Sequence, residues 1–240
     1  MFKYLIPFIN PLILLLGFWL FFYQQKGIVW LVLVSLLVII ISGKVLSRRY
    51  FWKYSLLWVN LVLVYISQLL FLLLLSSGVS RYLLSLLLAI IWSVILFLLK
   101  RYFQVITNVQ ITDYLAVNKF FYYLGFWFLS TSLYSLVIFL YFPVIYALLA
   151  MLIATLFWSG EIVRAREDIG WLYVVFTSFL MLQIMVVVYF LPIGFYVAGT
   201  IATLWFFFII DSSTSQLKHF RLYLGIFLAS ITTLLITSII

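Results

Sequence analysis

Long apolar runs follow one another along this chain, and short clusters of charged or turn-forming residues separate them. The runs predict an all-α polytopic membrane bundle of about nine transmembrane helices, because about 20 apolar residues are needed to cross a bilayer. Eight helices are the alternative, and serial helical hairpins within one transmembrane domain over residues 1–240 are the expected plan, without a soluble domain. The predicted spans are approximately 5–23, 28–42, 54–75, 82–99, 120–141, 144–159, 171–191, 193–210 and 222–240.

Two proline-containing segments join neighbouring predicted spans. Tyr141-Phe142-Pro143 lies between the fifth and sixth spans, and Leu191-Pro192-Ile193-Gly194 lies between the seventh and eighth. Proline ends a helix because it lacks an N–H group and clashes with the preceding turn, yet it is accepted where the next helix begins. We therefore predict a tight turn between two helices at each segment.

The composition agrees with a lipid environment. Of the 240 residues, 68% are hydrophobic and only 8% are charged, whereas soluble domains contain about 25% charged residues. The chain has no cysteine, which excludes disulfides and thiolate metal sites. Its net charge of +9 comes from basic residues between the spans. Outside these loops, no basic run has the interleaved aromatic residues that are typical of nucleic-acid binding. We predict no nucleic-acid partner and no cofactor.

The basic residues are divided unequally between the two sides of the predicted bundle. Only Lys26 and Arg81 lie on the side away from the N-terminus. Cytoplasmic loops carry an excess of Lys and Arg, so the predicted protein is a multi-pass integral protein of the cell (inner) membrane, with its N-terminus in the cytoplasm and its C-terminus outside. The remaining basic residues are Lys3, Lys44, Arg48, Arg49, Lys53, Lys100, Arg101, Lys119, Arg164, Arg166, Lys218 and Arg221.

The middle of each predicted span contains no Asp, Glu, Lys, Arg or His. This pattern argues against proton relays, carboxylate-coupled ion transport and voltage sensing, which normally need such groups. Buried amides in hydrocarbon need hydrogen-bond partners, so we expect Gln68 and Gln183 to face other helices. The neutral polar residues favour either interhelical hydrogen bonds or a pocket for a neutral or lipid-like ligand. The candidate pocket residues are Gln68, Thr131, Tyr134, Ser135 and Gln183.

Three of the five acidic residues lie in one segment, GEIVRAREDIGW, at residues 160–171. If this segment is helical, Arg164 follows Glu161 by three residues and precedes Glu167 by three and Asp168 by four, a spacing at which opposite charges pair. We favour a solvated, self-paired loop over a reaction site. A docking surface for a cytoplasmic partner is the third interpretation. Its residues would be Glu161, Arg164, Arg166, Glu167 and Asp168.

His219 is the only histidine, which excludes histidine-rich metal sites. With Asp211 it could form an acid–base pair, although a histidine next to Lys218 at a membrane boundary is more often interfacial. The segment at 43–53, GKVLSRRYFWK, contains no acid. Nine spans with an acidic segment after the sixth look superficially like the UbiA-type prenyltransferases, whose magnesium and prenyl diphosphate are held between two aspartate-rich motifs, and the other motif would lie in this acid-free segment. One half-site cannot hold that cluster, so the resemblance fails and no metal site is predicted.

Three functions remain open from the sequence. The leading hypothesis is a non-catalytic membrane-embedded subunit or scaffold that binds membrane lipids and other membrane-protein subunits, or forms a homo-oligomer. The second is a permease or flippase for a neutral or lipid-like substrate. The third is a membrane enzyme that uses Glu161, Glu167, Asp168 or His219 at the cytoplasmic surface. Independently, Lys44, Arg48, Arg49 and Lys53 are predicted to attract anionic lipid headgroups, at about 1 kcal/mol for each residue near the surface.

Overall fold

The chain folds into helices throughout the part that the computed structural model describes. The described residues are 2–23, 28–47, 51–76, 78–105, 111–164, 170–214, 224–225, 227–228 and 230–232. Within these ranges there are eight long helices and no strand. The helices are α1 (Phe2–Tyr23), α2 (Ile28–Ser47), α3 (Ser55–Leu74), α4 (Gly78–Val105), α5 (Ile111–Leu140), α6 (Val144–Arg164), α7 (Trp171–Tyr189) and α8 (Phe195–Thr214).

Five of the described helices are long and apolar enough to cross a membrane. These spans are Ser55–Leu74, Gly78–Phe103, Lys119–Leu140, Val144–Glu161 and Trp171–Tyr189, and shorter apolar helical stretches cover Leu5–Leu20, Leu33–Ser47 and Phe195–Asp211. The all-helical class predicted from the sequence is thus confirmed, and the five candidate spans are consistent with a helical membrane bundle. The predicted number of about nine spans is not confirmed. The predicted ninth span, 222–240, lies largely outside the described residues, and its described parts are helical.

Several helices extend beyond the apolar runs that predicted them. α4 has 28 residues and α5 has 30, which corresponds to more than about 40 Å at 1.5 Å per residue. Lys44, Lys100, Arg101, Lys119 and Glu161 therefore lie within helices rather than in loops. Hydropathy marks only the part of a helix that fits the hydrocarbon core, and polar turns can continue it into water.

Both predicted proline turns are present. α5 ends at Leu140, after which Tyr141 has a positive φ of 52° and the Phe142 N–H donates to the Leu136 carbonyl at 3.2 Å. The Pro143 carbonyl then accepts from the first amides of α6. In the second turn, the Ile193 N–H donates to the Leu191 carbonyl at 2.8 Å across Pro192. Each turn reverses the chain within a few residues.

The chain divides into two compact units. Unit 1 comprises Met1–Tyr65 and Leu72–Asn118, and unit 2 comprises Ile66–Phe71 and Lys119–Ile240. The single transmembrane domain expected from the sequence stays a prediction. In unit 1, α1 packs against α2 and α4. Its core contains the Phe18 ring stacked on Tyr65, with ring centroids 5.2 Å apart, and Trp92 next to Tyr65 at 6.0 Å.

Unit 2 also has an aromatic core. The Phe126 ring of α5 is stacked on Phe206 of α8, with centroids 4.4 Å apart and nearly parallel planes, and Trp158 of α6 lies 6.0 Å from Phe126. α7 packs against both α6 and α8. Aromatic rings bury large areas with few rotatable bonds, and offset pairs add to that packing. The rings therefore hold α5, α6 and α8 together inside this unit.

Candidate functional site

The five residues predicted to line a pocket all belong to unit 2, but they do not share one environment. Gln68, Thr131, Tyr134 and Ser135 are buried. Gln183 is exposed on α7, so it does not face another of the described helices, and the expectation that it faces other helices stays a prediction. Because α7 is apolar on all sides, hydropathy alone did not determine which side turns inward.

Thr131 lies where α5 and α8 approach most closely. A Cβ atom at Gly199 of α8 would stand 2.8 Å from the backbone N and Cα atoms of Thr131. Side-chain carbons essentially never come so close to backbone atoms, so Gly199 is the residue that permits this contact. Small residues allow membrane helices to pack in this way, and Ala202 and Thr203 follow Gly199 at the three- and four-residue spacing of one helix face.

Hydrogen bonds join α5 and α8 around this contact. The Trp127 indole N–H donates to the Thr200 hydroxyl at 2.9 Å, and the Ser130 hydroxyl donates to the Gly199 carbonyl at 3.1 Å. The same Ser130 hydroxyl lies 3.5 Å from the Thr203 hydroxyl. Trp127 and Ser130 are therefore engaged in joining two helices, and the close backbone contact at Thr131 leaves no room for a ligand at that position.

Tyr134 joins α5 to α7 in a similar way. Its hydroxyl donates to the Met185 carbonyl at 3.0 Å, and both residues are buried. Carbonyls of α7 normally accept within the helix, so this tyrosine adds a second donor to one of them. Of the predicted pocket residues, Tyr134 and Thr131 thus contribute to contacts with α7 and α8 respectively.

An ion pair that the sequence analysis did not predict lies at one end of unit 2. The Lys119 Nζ of α5 is 3.0 Å from the Asp211 Oδ1 of α8, and the Tyr123 hydroxyl donates to the same oxygen at 3.3 Å. The two charged side chains are 19% and 21% exposed. From the sequence alone, Asp211 is a candidate acid–base partner of His219. His219 lies outside the described residues.

A basic and aromatic surface occurs at one end of unit 1. The Tyr54 and Tyr102 hydroxyls are 3.2 Å apart, and their neighbours Lys53 and Arg101 are exposed. The Lys53 Nζ lies 5.9 Å above the Tyr54 ring. We call this set, which consists of Lys53, Tyr54, Lys100, Arg101 and Tyr102, the basic–aromatic end.

The basic–aromatic end extends part of the lipid site predicted from the sequence. Lys44 is exposed in the last turn of α2, and Lys53 is exposed before α3. Arg48 and Arg49 lie outside the described residues. Trp52, next to Lys53, is 83% exposed, as expected for an aromatic ring that sits at the level of lipid headgroups. Lys100 and Arg101 follow the predicted fourth span, but in the structure they belong to α4.

The acidic segment differs from the favoured interpretation of a solvated loop. α6 continues to Arg164, and Glu161 is a buried residue within it, at 9% exposure. Glu161 extends the buried stripe of α6 formed by Met151, Ala154 and Trp158, which recur at intervals of three or four residues. The burial of Glu161 could therefore have been predicted from this spacing in the sequence. The side chain of Arg164 and residues Arg166, Glu167 and Asp168 lie outside the described part, so the docking surface stays a prediction.

Within the described residues, no group of three or more His, Cys, Asp or Glu residues could hold a metal ion. The chain matches no protein-family model, and neither a curated protein nor a solved structure shows significant similarity to it.

Proposed function

We propose that this chain is a non-catalytic, membrane-embedded subunit or scaffold that binds lipids and other membrane proteins. The observation that carries this proposal is that polar side chains of unit 2 form hydrogen bonds between helices. Trp127, Ser130 and Tyr134 of α5 form hydrogen bonds to α7 or α8, and Thr131 contacts Gly199 closely. A transport path would need such groups to remain available to a solute, and here they join helices instead.

Lipid binding is supported by the basic–aromatic end of unit 1. Exposed ammonium and guanidinium groups attract anionic headgroups at about 1 kcal/mol each, and tyrosine hydroxyls can donate to phosphate oxygens. Exposed Lys44 in α2 has the same charge and fits the same proposal. The ligand class is a lipid with a net negative headgroup, and the acyl chains would lie along the apolar sides of the helices.

Binding to other membrane proteins is supported by the unequal burial of the spans. About one third of the span in α7 is buried within the chain, 33%, compared with 61% for the spans of α3 and α5. α4 is also largely exposed, with 39% of its span buried. Lipid or protein must cover these apolar sides in a membrane.

A lipid-preference measurement tests the first part of the proposal. The protein would be purified in mild detergent, and its retained lipids would be quantified by native mass spectrometry after exposure to equal amounts of zwitterionic and anionic lipid. We expect a preference for the anionic lipid that falls at least tenfold when Lys44, Lys53, Lys100 and Arg101 are all replaced by Gln. The matched single variants are Lys53→Gln, which should weaken the preference, and Lys26→Gln, which should not.

The same preparation tests the second part and the competing functions. A stoichiometric protein partner, or a second copy, in the purified particle would support a subunit or scaffold. Protein-dependent entry of a neutral solute, or movement of a labelled lipid between leaflets, in reconstituted vesicles would overturn the non-catalytic proposal in favour of a permease or flippase. Equal retention of both lipids by the wild-type protein would overturn the proposed lipid site.

A further inference from the structure

One side of α7 is exposed along its whole length. Leu172, Phe176, Phe179, Gln183 and Val187 recur at intervals of three or four residues, and all five are exposed. We call this set the outer face of α7. The opposite side of the helix, which includes Val174, Thr177, Ser178, Met181, Met185 and Val188, is buried.

Gln183 is the one polar residue of this otherwise apolar face. It lies about 5 Å along the helix axis from the midpoint of α7, at 1.5 Å per residue, and so near the centre of a candidate membrane span. Four Asn or Gln residues have side chains that the structure describes: Asn10, Asn60, Gln68 and Gln183. Gln183 is the only exposed one among those four, and it has no hydrogen bond to any described residue.

An amide in hydrocarbon requires a hydrogen-bonding partner, because unpaired polar groups are costly there. Lipid cannot supply this partner at that depth, since acyl chains have neither donors nor acceptors and headgroups lie at the membrane surfaces. The partner must therefore be a polar group carried by another membrane helix.

We propose that the outer face of α7 is the contact between two copies of this chain, related by a two-fold axis along the membrane normal. Such an axis places the two Gln183 side chains at the same depth. Each amide has one carbonyl acceptor and one NH₂ donor, so the Oε1 of each copy accepts from the Nε2 of the other. Phe176 and Phe179 of both copies pack around this pair. The proposal rests on the proposed function and names the partner that binds there.

A second copy fits better than an unrelated partner because the face is complementary to itself. A different protein would need both a donor and an acceptor at the depth of Gln183, together with an apolar stripe of the same length. The same face on a second copy provides both features without any further condition.

Cysteine cross-linking in membranes tests the contact directly, because the natural chain contains no cysteine. Phe179→Cys would be oxidised in lipid vesicles at a high lipid-to-protein ratio. Val94→Cys is the matched control, since Val94 is an exposed apolar residue near the middle of the span in α4. We expect a covalent dimer from Phe179→Cys but not from Val94→Cys. Adding Gln183→Leu should lower the cross-linked fraction about three- to tenfold, and Gln183→Asn should lower it less.

The possible results separate this proposal from the proposed function. Equal cross-linking of the two cysteine variants, or no effect of Gln183→Leu, would overturn the contact through α7. Cross-linking of Phe179→Cys only to a different membrane protein would overturn the second copy as the partner, while the subunit function would stand. A monodisperse monomer without any protein cross-link would overturn both the dimer and the protein-binding part of the proposed function.

Discussion

Replacing Gly199 by Ala should separate α5 from α8 and destabilise unit 2. The added Cβ would stand 2.8 Å from two backbone atoms of Thr131, whereas ordinary contacts begin at 3.4 Å. To relieve this overlap, α5 and α8 would have to move apart by about 0.6 Å. That movement would stretch the 2.9 Å hydrogen bond from Trp127 to Thr200 beyond normal hydrogen-bond length.

The expected loss of stability is a balance of three effects. Overpacking of a close contact costs about 1–3 kcal/mol, and each weakened interhelical hydrogen bond costs about 0.6 kcal/mol. Against these, Ala is favoured over Gly within a helix by up to about 1 kcal/mol. We therefore expect the free energy of unfolding to fall by about 1–3 kcal/mol.

Equilibrium unfolding in mixed detergent with increasing dodecyl sulfate, followed by circular dichroism, measures this change. Gly225→Ala is the control, because Gly225 lies in the described helical pair 224–225 and an added Cβ would meet nothing within 4 Å. It should leave stability unchanged or raise it slightly. Thr131→Ala should rescue Gly199→Ala only in part, since the backbone atoms of residue 131 remain. A Gly199→Ala protein as stable as the wild type would refute the close approach of α5 and α8.

Two further substitutions test other contacts in unit 2 by the same unfolding assay. Tyr134→Phe removes the donor to the Met185 carbonyl and should lower the free energy of unfolding by about 0.6 kcal/mol. The control is Tyr146→Phe, at an exposed tyrosine of α6, which should not change that free energy measurably. Equal effects of the two variants would contradict the Tyr134 contact. Lys119→Met and Asp211→Asn should each cost about 1 kcal/mol. The double variant should lose less than the sum, because both changes remove the same ion pair. Strict additivity would show that the two groups do not interact.

The positions of the helices could be predicted from the sequence, but their rotations could not. Apolar runs and two prolines located α1–α8 and both tight turns. In a soluble protein, the polar side of each helix would then identify the side that faces water. In a membrane, the side facing lipid and the side facing other helices are both apolar, so Gln68 and Gln183 looked equivalent in the sequence although one is buried and the other exposed.

Contacts between residues that are distant in the chain could not be predicted from the sequence either. Lys119 and Asp211 are separated by 92 residues, and nothing in their local sequence connects them. Gly199 was not recognised for a related reason, since its role depends on the backbone of Thr131 on a different helix. Glu161 differs, because its three-residue spacing from Trp158 continues a stripe of buried side chains that could have been noticed.

The turn between α3 and α4 has a consequence for how the chain enters the membrane during synthesis. The Arg81 side chain donates to the Leu75 carbonyl at the end of α3, where the helix dipole places partial negative charge. In the predicted orientation, with the N-terminus in the cytoplasm, Arg81 has to cross the bilayer, and on α4 alone its guanidinium group would bring its full charge through hydrocarbon. Once α3 has formed, part of that charge is compensated by the carbonyl beside it. Translocation of the two helices as one hairpin is thus energetically easier than their insertion one after the other.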